Sequence, residues 1–197
     1  MRICCIGDSN TYGYDPALPM GGRYHYEVRW EGRLEAAGHS VVNHGYNGLP
    51  VMRRSLHAMF ARQVEKEGPF DLVTIMLGSN DIILGSSPQE TAADMEALIM
   101  TLKETLGEGS QTNILLIAPP PFVPGFWVEG EEQIRRSKAL AGEYRALAER
   151  QHILFADAGQ WGIPLAFDGV HFTEEGHRIF AEKLNEKILR CAQDDRE

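Results

Sequence analysis

Strand and helix signals alternate along all 197 residues. That alternation predicts an α/β fold, a single domain in which helices cover both faces of a parallel sheet in three layers. Two of the strand candidates, Leu72-Val73-Thr74-Ile75-Met76-Leu77 and Ile114-Leu115-Leu116-Ile117, are almost unbroken apolar runs, as strands covered on both sides must be. A chain of this length also buries one continuous core without disulfides or metal. No linker, repeat or low-complexity stretch divides it, so residues 1–191 are expected to form the domain and 192–197 a polar tail.

Residues 1–6 read as the first strand, which Gly7 breaks. Further strands are expected at 40–43, 71–77, 113–118 and 153–156, with the third and fourth at the centre because they are the most apolar. Helices fit between them at 26–37, 51–66, 88–106, 131–150 and 174–191. The third of these has the sharpest start, since Ser87-Pro88-Gln89-Glu90 joins a capping box to a proline in the first turn. In the last, Thr173 is placed to cap, and Phe180, Leu184 and Ile188 recur on one face as a core stripe. The loops at 7–22, 44–50, 78–87, 119–130 and 158–172 all follow strands. They therefore gather at the carboxyl edge of the sheet, where open α/β folds bind ligands.

A formal charge of −9 and a sequence pI near 5.3 argue against general affinity for nucleic acid or anionic membranes, which needs clustered Lys and Arg. Three cysteines make no framework: Cys4 and Cys5 are neighbours on a strand and point to opposite faces, and Cys191 is far away. Free thiols fit a reducing compartment. Met1-Arg2 leads directly into the first strand without a secretory leader, and no apolar run reaches membrane-spanning length. A cytoplasmic location is expected.

Ile6-Gly7-Asp8-Ser9-Asn10 puts a serine at the end of the first strand. Such a serine is a nucleophile if a base reaches it, and is otherwise a turn residue satisfying backbone groups. On this peptide alone the two readings weigh equally. Asn43-His44-Gly45-Tyr46-Asn47-Gly48 has two glycines in four residues, the mark of positive φ or close backbone approach. Gly78-Ser79-Asn80-Asp81 brings an amide donor to the same edge, with Asp81 able to cap or brace the loop. Asp168-Gly169-Val170-His171 offers a base and a carboxylate to orient it. Of seven histidines, only His171 has a carboxylate close before it in a strand-end loop; His44 is the alternative base. Asp8 is read as a turn-holding residue rather than the base's partner.

Taken in order, Gly7-Asp8-Ser9-Asn10, Gly48, Gly78-Ser79-Asn80-Asp81 and Asp168-Gly169-Val170-His171 resemble the four blocks of the SGNH (GDSL-like) hydrolase superfamily. The stretch from Gly7 to Pro16 and Ile117-Ala118-Pro119-Pro120-Pro121 look like its small bacterial arylesterases and acetylesterases. Two positions depart from the pattern: Asn10 stands where many members have leucine, and Asn47 where serine is common. The resemblance implies a flavodoxin-like sheet of five parallel strands in the order 2-1-3-4-5. It also implies Ser9 as nucleophile, Asp168 and His171 as its partners, and an oxyanion hole from the Ser9 and Gly48 amides and the Asn80 side chain. No metal or organic cofactor is implied. The partner would be a small-molecule ester, hydrolysed through an acyl-enzyme. A lysophospholipase or thioesterase uses the same residues, and a flavodoxin-like binding protein is the reading from another class.

Substrate contacts are expected from apolar groups on the same loops: Tyr12, Tyr46, Leu49, Phe122, Phe126, Trp127 and Trp161. Prolines 119, 120, 121 and 124 stiffen the loop bearing Phe126 and Trp127, which favours a short acyl group. Exposed aromatics on the loop from Phe122 to Trp127 line either a pocket or an interface, and the second reading implies a homo-oligomer.

Overall fold

The computed structural model describes residues 1–18 and 22–194. Five parallel strands, β1 (Arg2–Gly7), β2 (Ser40–Gly45), β3 (Leu72–Met76), β4 (Asn113–Ala118) and β5 (Leu154–Asp157), form one sheet in the order β2-β1-β3-β4-β5. The helices are α1 (Ser9–Tyr12), α2 (Trp30–Ala36), α3 (Arg54–Glu67), α4 (Ser79–Ile83), α5 (Pro88–Leu106), α6 (Glu131–Gln151) and α7 (Glu174–Asp194), with a 3-10 turn at Ala158–Gln160. No helix among the described residues is long and apolar enough to cross a membrane.

Strand alternation divides the core in two. Cys4, Ile6, Val73, Ile75, Ile114 and Leu116 face α3, α5 and α6, whereas Ile3, Cys5, Leu72, Leu115 and Ile117 face α2 and α7. The adjacent cysteines thus lie on opposite faces, both buried and free. Phe180, Leu184 and Ile188 of α7 pack on the second face with Trp30 and Leu34 of α2. Ser87 and Glu90 form the expected reciprocal cap of α5, with Pro88 in the first turn.

Several element limits differ from expectation. Helix α3 begins at Arg54 rather than residue 51, and ahead of it the Asp81 carboxylate accepts the Val51 and Met52 N–H groups. Helix α2 begins at Trp30 rather than residue 26, after an extended Arg29. Strand β2 runs on through His44 and Gly45 because these pair with Ile6 and Gly7. At the C-terminus α7 continues to Asp194, into the expected tail, whose remaining residues 195–197 lie outside the described residues. The sheet order reverses beside β1, and the segments after β1 and β3 flank that reversal, the usual crevice of open α/β sheets.

Candidate active site

Four residues after Asp8 form α1, too short to leave a periodic signal. Its start is made by Asp8, whose Oδ1 accepts the Asn10 N–H at 3.0 Å, and its end by Gly13 at φ 86°. Gly7 has to be glycine: a Cβ there would lie 2.0 Å from Thr11 Oγ1 and 2.9 Å from the Met76 carbonyl. Ser9, the first residue of this turn, has its Oγ 2.8 Å from His171 Nε2. His171 Nδ1 is 2.6 Å from Asp168 Oδ2, while Asp168 Oδ1 accepts the Val170 and His171 N–H groups, each at 3.0 Å. One carboxylate oxygen thus shapes the loop and the other meets the imidazole. With Nδ1–H donating to Asp168, Nε2 carries a lone pair toward the serine hydroxyl.

Asn10 joins these two segments. Its Nδ2 donates to the Val170 carbonyl at 3.1 Å and its Oδ1 accepts the Phe172 N–H at 2.9 Å, so one buried amide grips the backbone on both sides of His171. Trp30 Nε1 donates to the Asn10 carbonyl at 2.9 Å and ties the turn to α2. A leucine could make neither side-chain bond.

Burial raises the Asp168 pKa, but hydrogen bonds from the His171 side chain and the His171 and Val170 backbone outweigh it, and the carboxyl sits below its usual value. Asp8 shows the opposite balance. Burial pushes it up to about 6, against the Asn10 N–H and the nearby His171, which pull it down.

Across the cleft, Asn80 on α4 donates from Nδ2 to the Leu49 carbonyl at 3.2 Å. An amide carries two N–H donors, so the second is free to meet a ligand. Asp81, fully buried, accepts the Val51 N–H on Oδ2 and the Met52 N–H on Oδ1, each at 2.9 Å, and binds α4 to the loop bearing Gly48. Burial raises its pKa against those two bonds. The two glycines of the second block divide the tasks expected of them. A Cβ on Gly45 would lie 2.2 Å from the Tyr12 nitrogen, whereas Gly48 has open space but a φ of 68°.

These segments enclose a cleft of about 460 Å³ lined by Ser9, Tyr14, Asn47, Gly48, Ser79, Asn80, Ile83, Leu84, Trp127, Val170 and His171. Ser9, Gly48, Asn80, His171 and Trp127 therefore meet at one site, with Asp168 behind His171. Most of the expected substrate contacts lie outside this lining. Tyr12 stacks beneath the Arg23 guanidinium, 4.4 Å from its ring centre. Tyr46 packs on Phe60, and its hydroxyl accepts from Gln63. Leu49 and Phe122 are buried in the core, and Trp161 packs on Phe180 under the opposite face. Phe126 is 80% exposed and meets the edge of Trp127. The alternative base His44 points to Glu67, 3.3 Å away.

Sequence reasoning missed Tyr14, Ile83 and Leu84 as cleft residues. The apolar run Ile82-Ile83-Leu84 directly after Asn80-Asp81 was the available signal for two of them. The Asn10 grip had none, because its partners are about 160 residues away.

The model of the GDSL-like lipase/acylhydrolase family matches residues 5–179. Among solved structures, the M. smegmatis aryl esterase superposes with a TM-score of 0.85 at 29% identity, over 96% of this chain and 98% of that one. A carbohydrate acetylesterase from Sinorhizobium meliloti does so with a TM-score of 0.85 at 27% identity, over 96% and 99%. A mutant acetyl-xylooligosaccharide esterase from Geobacillus matches with a TM-score of 0.70 at 26% identity, over 95% and 93%. No curated protein matches the chain in sequence.

Proposed function

The chain belongs to the GDSL-like lipase/acylhydrolase family, and we propose that it is a serine esterase that hydrolyses short-chain, above all acetyl, esters through an acyl-enzyme. The observation that carries this reading is the continuous hydrogen-bonded series Ser9, His171, Asp168, opening into a cleft that also holds Asn80 and Gly48.

Ser9 Oγ attacks the ester carbonyl carbon as its proton passes to His171 Nε2, and the carbonyl electron pair moves onto oxygen. Asp168 holds the imidazole in the required tautomer and stabilises the imidazolium. The oxyanion is received by the Ser9 and Gly48 amides and the free N–H of Asn80. His171 then protonates the leaving alcohol, and water repeats the sequence on the acyl-enzyme. Every proton and charge has a protein group to receive it, so the reaction runs without a cofactor. A short acyl group suits the confined cleft between Tyr14, Ile83, Leu84 and Trp127, and two of the similar structures are of acetylesterases.

The test is hydrolysis of p-nitrophenyl acetate, butyrate and octanoate by the wild type and by Ser9→Ala. Rates should fall with chain length and vanish in the variant. Equal activity in the folded variant would overturn the serine mechanism, and a maximum at octanoate would overturn the short-chain preference.

A further inference from the structure

One aromatic side chain packed against the His171 ring lies outside the four SGNH blocks and the core. Tyr14 lies with its ring centre 4.5 Å from that of His171, the planes inclined by 49°. Its backbone is held by the nucleophile turn itself, since the Gly13 and Tyr14 N–H groups both donate to the Ser9 carbonyl at 2.9 Å. The chain beyond it returns as a strap: Tyr14 pairs antiparallel with Arg23, and the Tyr24 N–H donates to the Gly13 carbonyl at 2.9 Å. Arg23 fastens that strap through the Tyr12 ring and through Glu31, 3.3 Å away, which Arg29 also engages at 2.8 Å. Tyr14 is thereby fixed relative to Ser9.

We propose that Tyr14 is a positioning residue for the reaction, an aromatic wall that holds the His171 imidazole against Ser9 and stabilises the cation formed when the Ser9 proton arrives. This rests on the reading of His171 as the base. An aromatic ring attracts a cation within about 6 Å of its centre, through the negative potential of its π face. Neutral imidazole gains little from that field and imidazolium gains much, so the contact strengthens as the proton moves from Ser9 Oγ to Nε2. That is the differential stabilisation that accelerates a step. The phenol hydroxyl has no part in it, and the ring alone is required.

The charged and titratable groups around the imidazole come from three segments. Asp168 lies on its own loop, Ser9 and Asp8 lie on the β1–α1 turn, and Tyr14 lies on the strap, where Asp15 is directed to Tyr24. Asp8 is the one whose titration overlaps the acid side of a pH profile. Hydrogen bonds from the His171 side chain and the His171 and Val170 backbone hold the Asp168 carboxyl below its usual value.

The experiment measures the rate at which a fluorophosphonate labels Ser9, as a function of pH, in wild type, Tyr14→Phe and Tyr14→Leu, and again with Asp8→Asn added to each. In labelling, the Ser9 Oγ–P bond forms, fluoride leaves with the P–F electron pair, and the Ser9 proton goes to His171, so no natural substrate is needed. Tyr14→Leu is expected to slow labelling roughly three- to thirty-fold. It should also move the acid-side midpoint to lower pH, because the protonated imidazole has lost its support, while Tyr14→Phe matches wild type in both respects. A slower Tyr14→Leu with an unmoved midpoint, or a Tyr14→Phe that behaves like it, would overturn the proposal and leave the strap a merely structural part. A midpoint shift that disappears once Asp8 is replaced would overturn it as well. Wild type that is never labelled at Ser9 would remove the serine mechanism and this inference together, whereas labelled wild type with an indifferent Tyr14→Leu removes only the inference.

Discussion

The two walls of the cleft are built on the same sheet edge but by opposite rules. On the Ser9 wall, Asp8, Ser9, Asn10 and Asp168 are buried, and their polar atoms are committed: Asp168 bonds the His171 ring and two N–H groups, and Asn10 bonds backbone on both sides of His171. On the apolar wall, Leu84 is 63% and Trp127 51% exposed, although the Trp127 N–H is tied to the Asp168 carbonyl at 3.0 Å. There the backbone is held and the side chains stand free. Proton transfer, the role proposed for the Ser9 wall, tolerates little error in distance, so its groups need several partners each. Apolar recognition is non-directional and needs only area and shape. One wall is expected to be intolerant of change and the other adaptable.

Asn80 tests where the intolerant region ends, since it sits across the cleft yet is proposed to act on charge. Asn80→Ala is expected to lower kcat roughly a hundred- to a thousand-fold, the usual cost of one oxyanion donor, with the fold kept. Steady-state kinetics with p-nitrophenyl acetate and a circular dichroism spectrum measure both. A loss confined to KM would move Asn80 into the adaptable wall.

Asp8 sharpens the comparison from the other side, because the price of a buried acid beside Ser9 is set by pH. Its folded pKa is raised from 3.8 to about 6. Below the lower value the carboxyl is neutral whether the chain is folded or unfolded, and no penalty exists. As pH rises toward 6 the unfolded chain ionises first and stability is lost, reaching a plateau above 6. Asp8→Asn keeps an oxygen for the Asn10 N–H and never ionises. Relative to wild type, its stability should therefore increase with pH, by up to about 3 kcal/mol between acid and neutral conditions. Urea denaturation at the two pH values measures this, and a difference independent of pH would mean the charge is fully compensated.

The smallest effects are expected on the exposed wall. Leu84→Ser combined with Trp127→Ala should raise KM for butyrate up to roughly tenfold and flatten the chain-length series, with kcat on acetate much less affected. A collapse of kcat instead would show that this wall positions the reacting carbonyl and would erase the distinction between the two.

How far each wall can be read from sequence follows the same division. The Gly7-Asp8-Ser9-Asn10, Gly78-Ser79-Asn80-Asp81 and Asp168-Gly169-Val170-His171 blocks were legible because a turn that presents a polar group needs particular residues at adjacent positions. Among the aromatics proposed for the cleft, Trp127 reaches it, while Tyr12, Tyr46, Phe126 and Trp161 do not. A loop aromatic carries no local mark of the direction in which it will point.

The sequence by itself determined the α/β class and the succession of strands and helices, because apolar periodicity, caps and strand-ending glycines act over a few residues. It also carried the four blocks that place a serine, an amide and an Asp–His pair after strands. Only the tertiary structure decided that Asn10 grips the loop on both sides of His171, that Asp81 holds the Val51 and Met52 N–H groups ahead of α3, and that Tyr14 lies beside the imidazole. Each of these depends on segments about 30 to 160 residues apart meeting at set distances. Such meetings are the outcome of packing the two core layers on the sheet, and no short stretch of chain contains them.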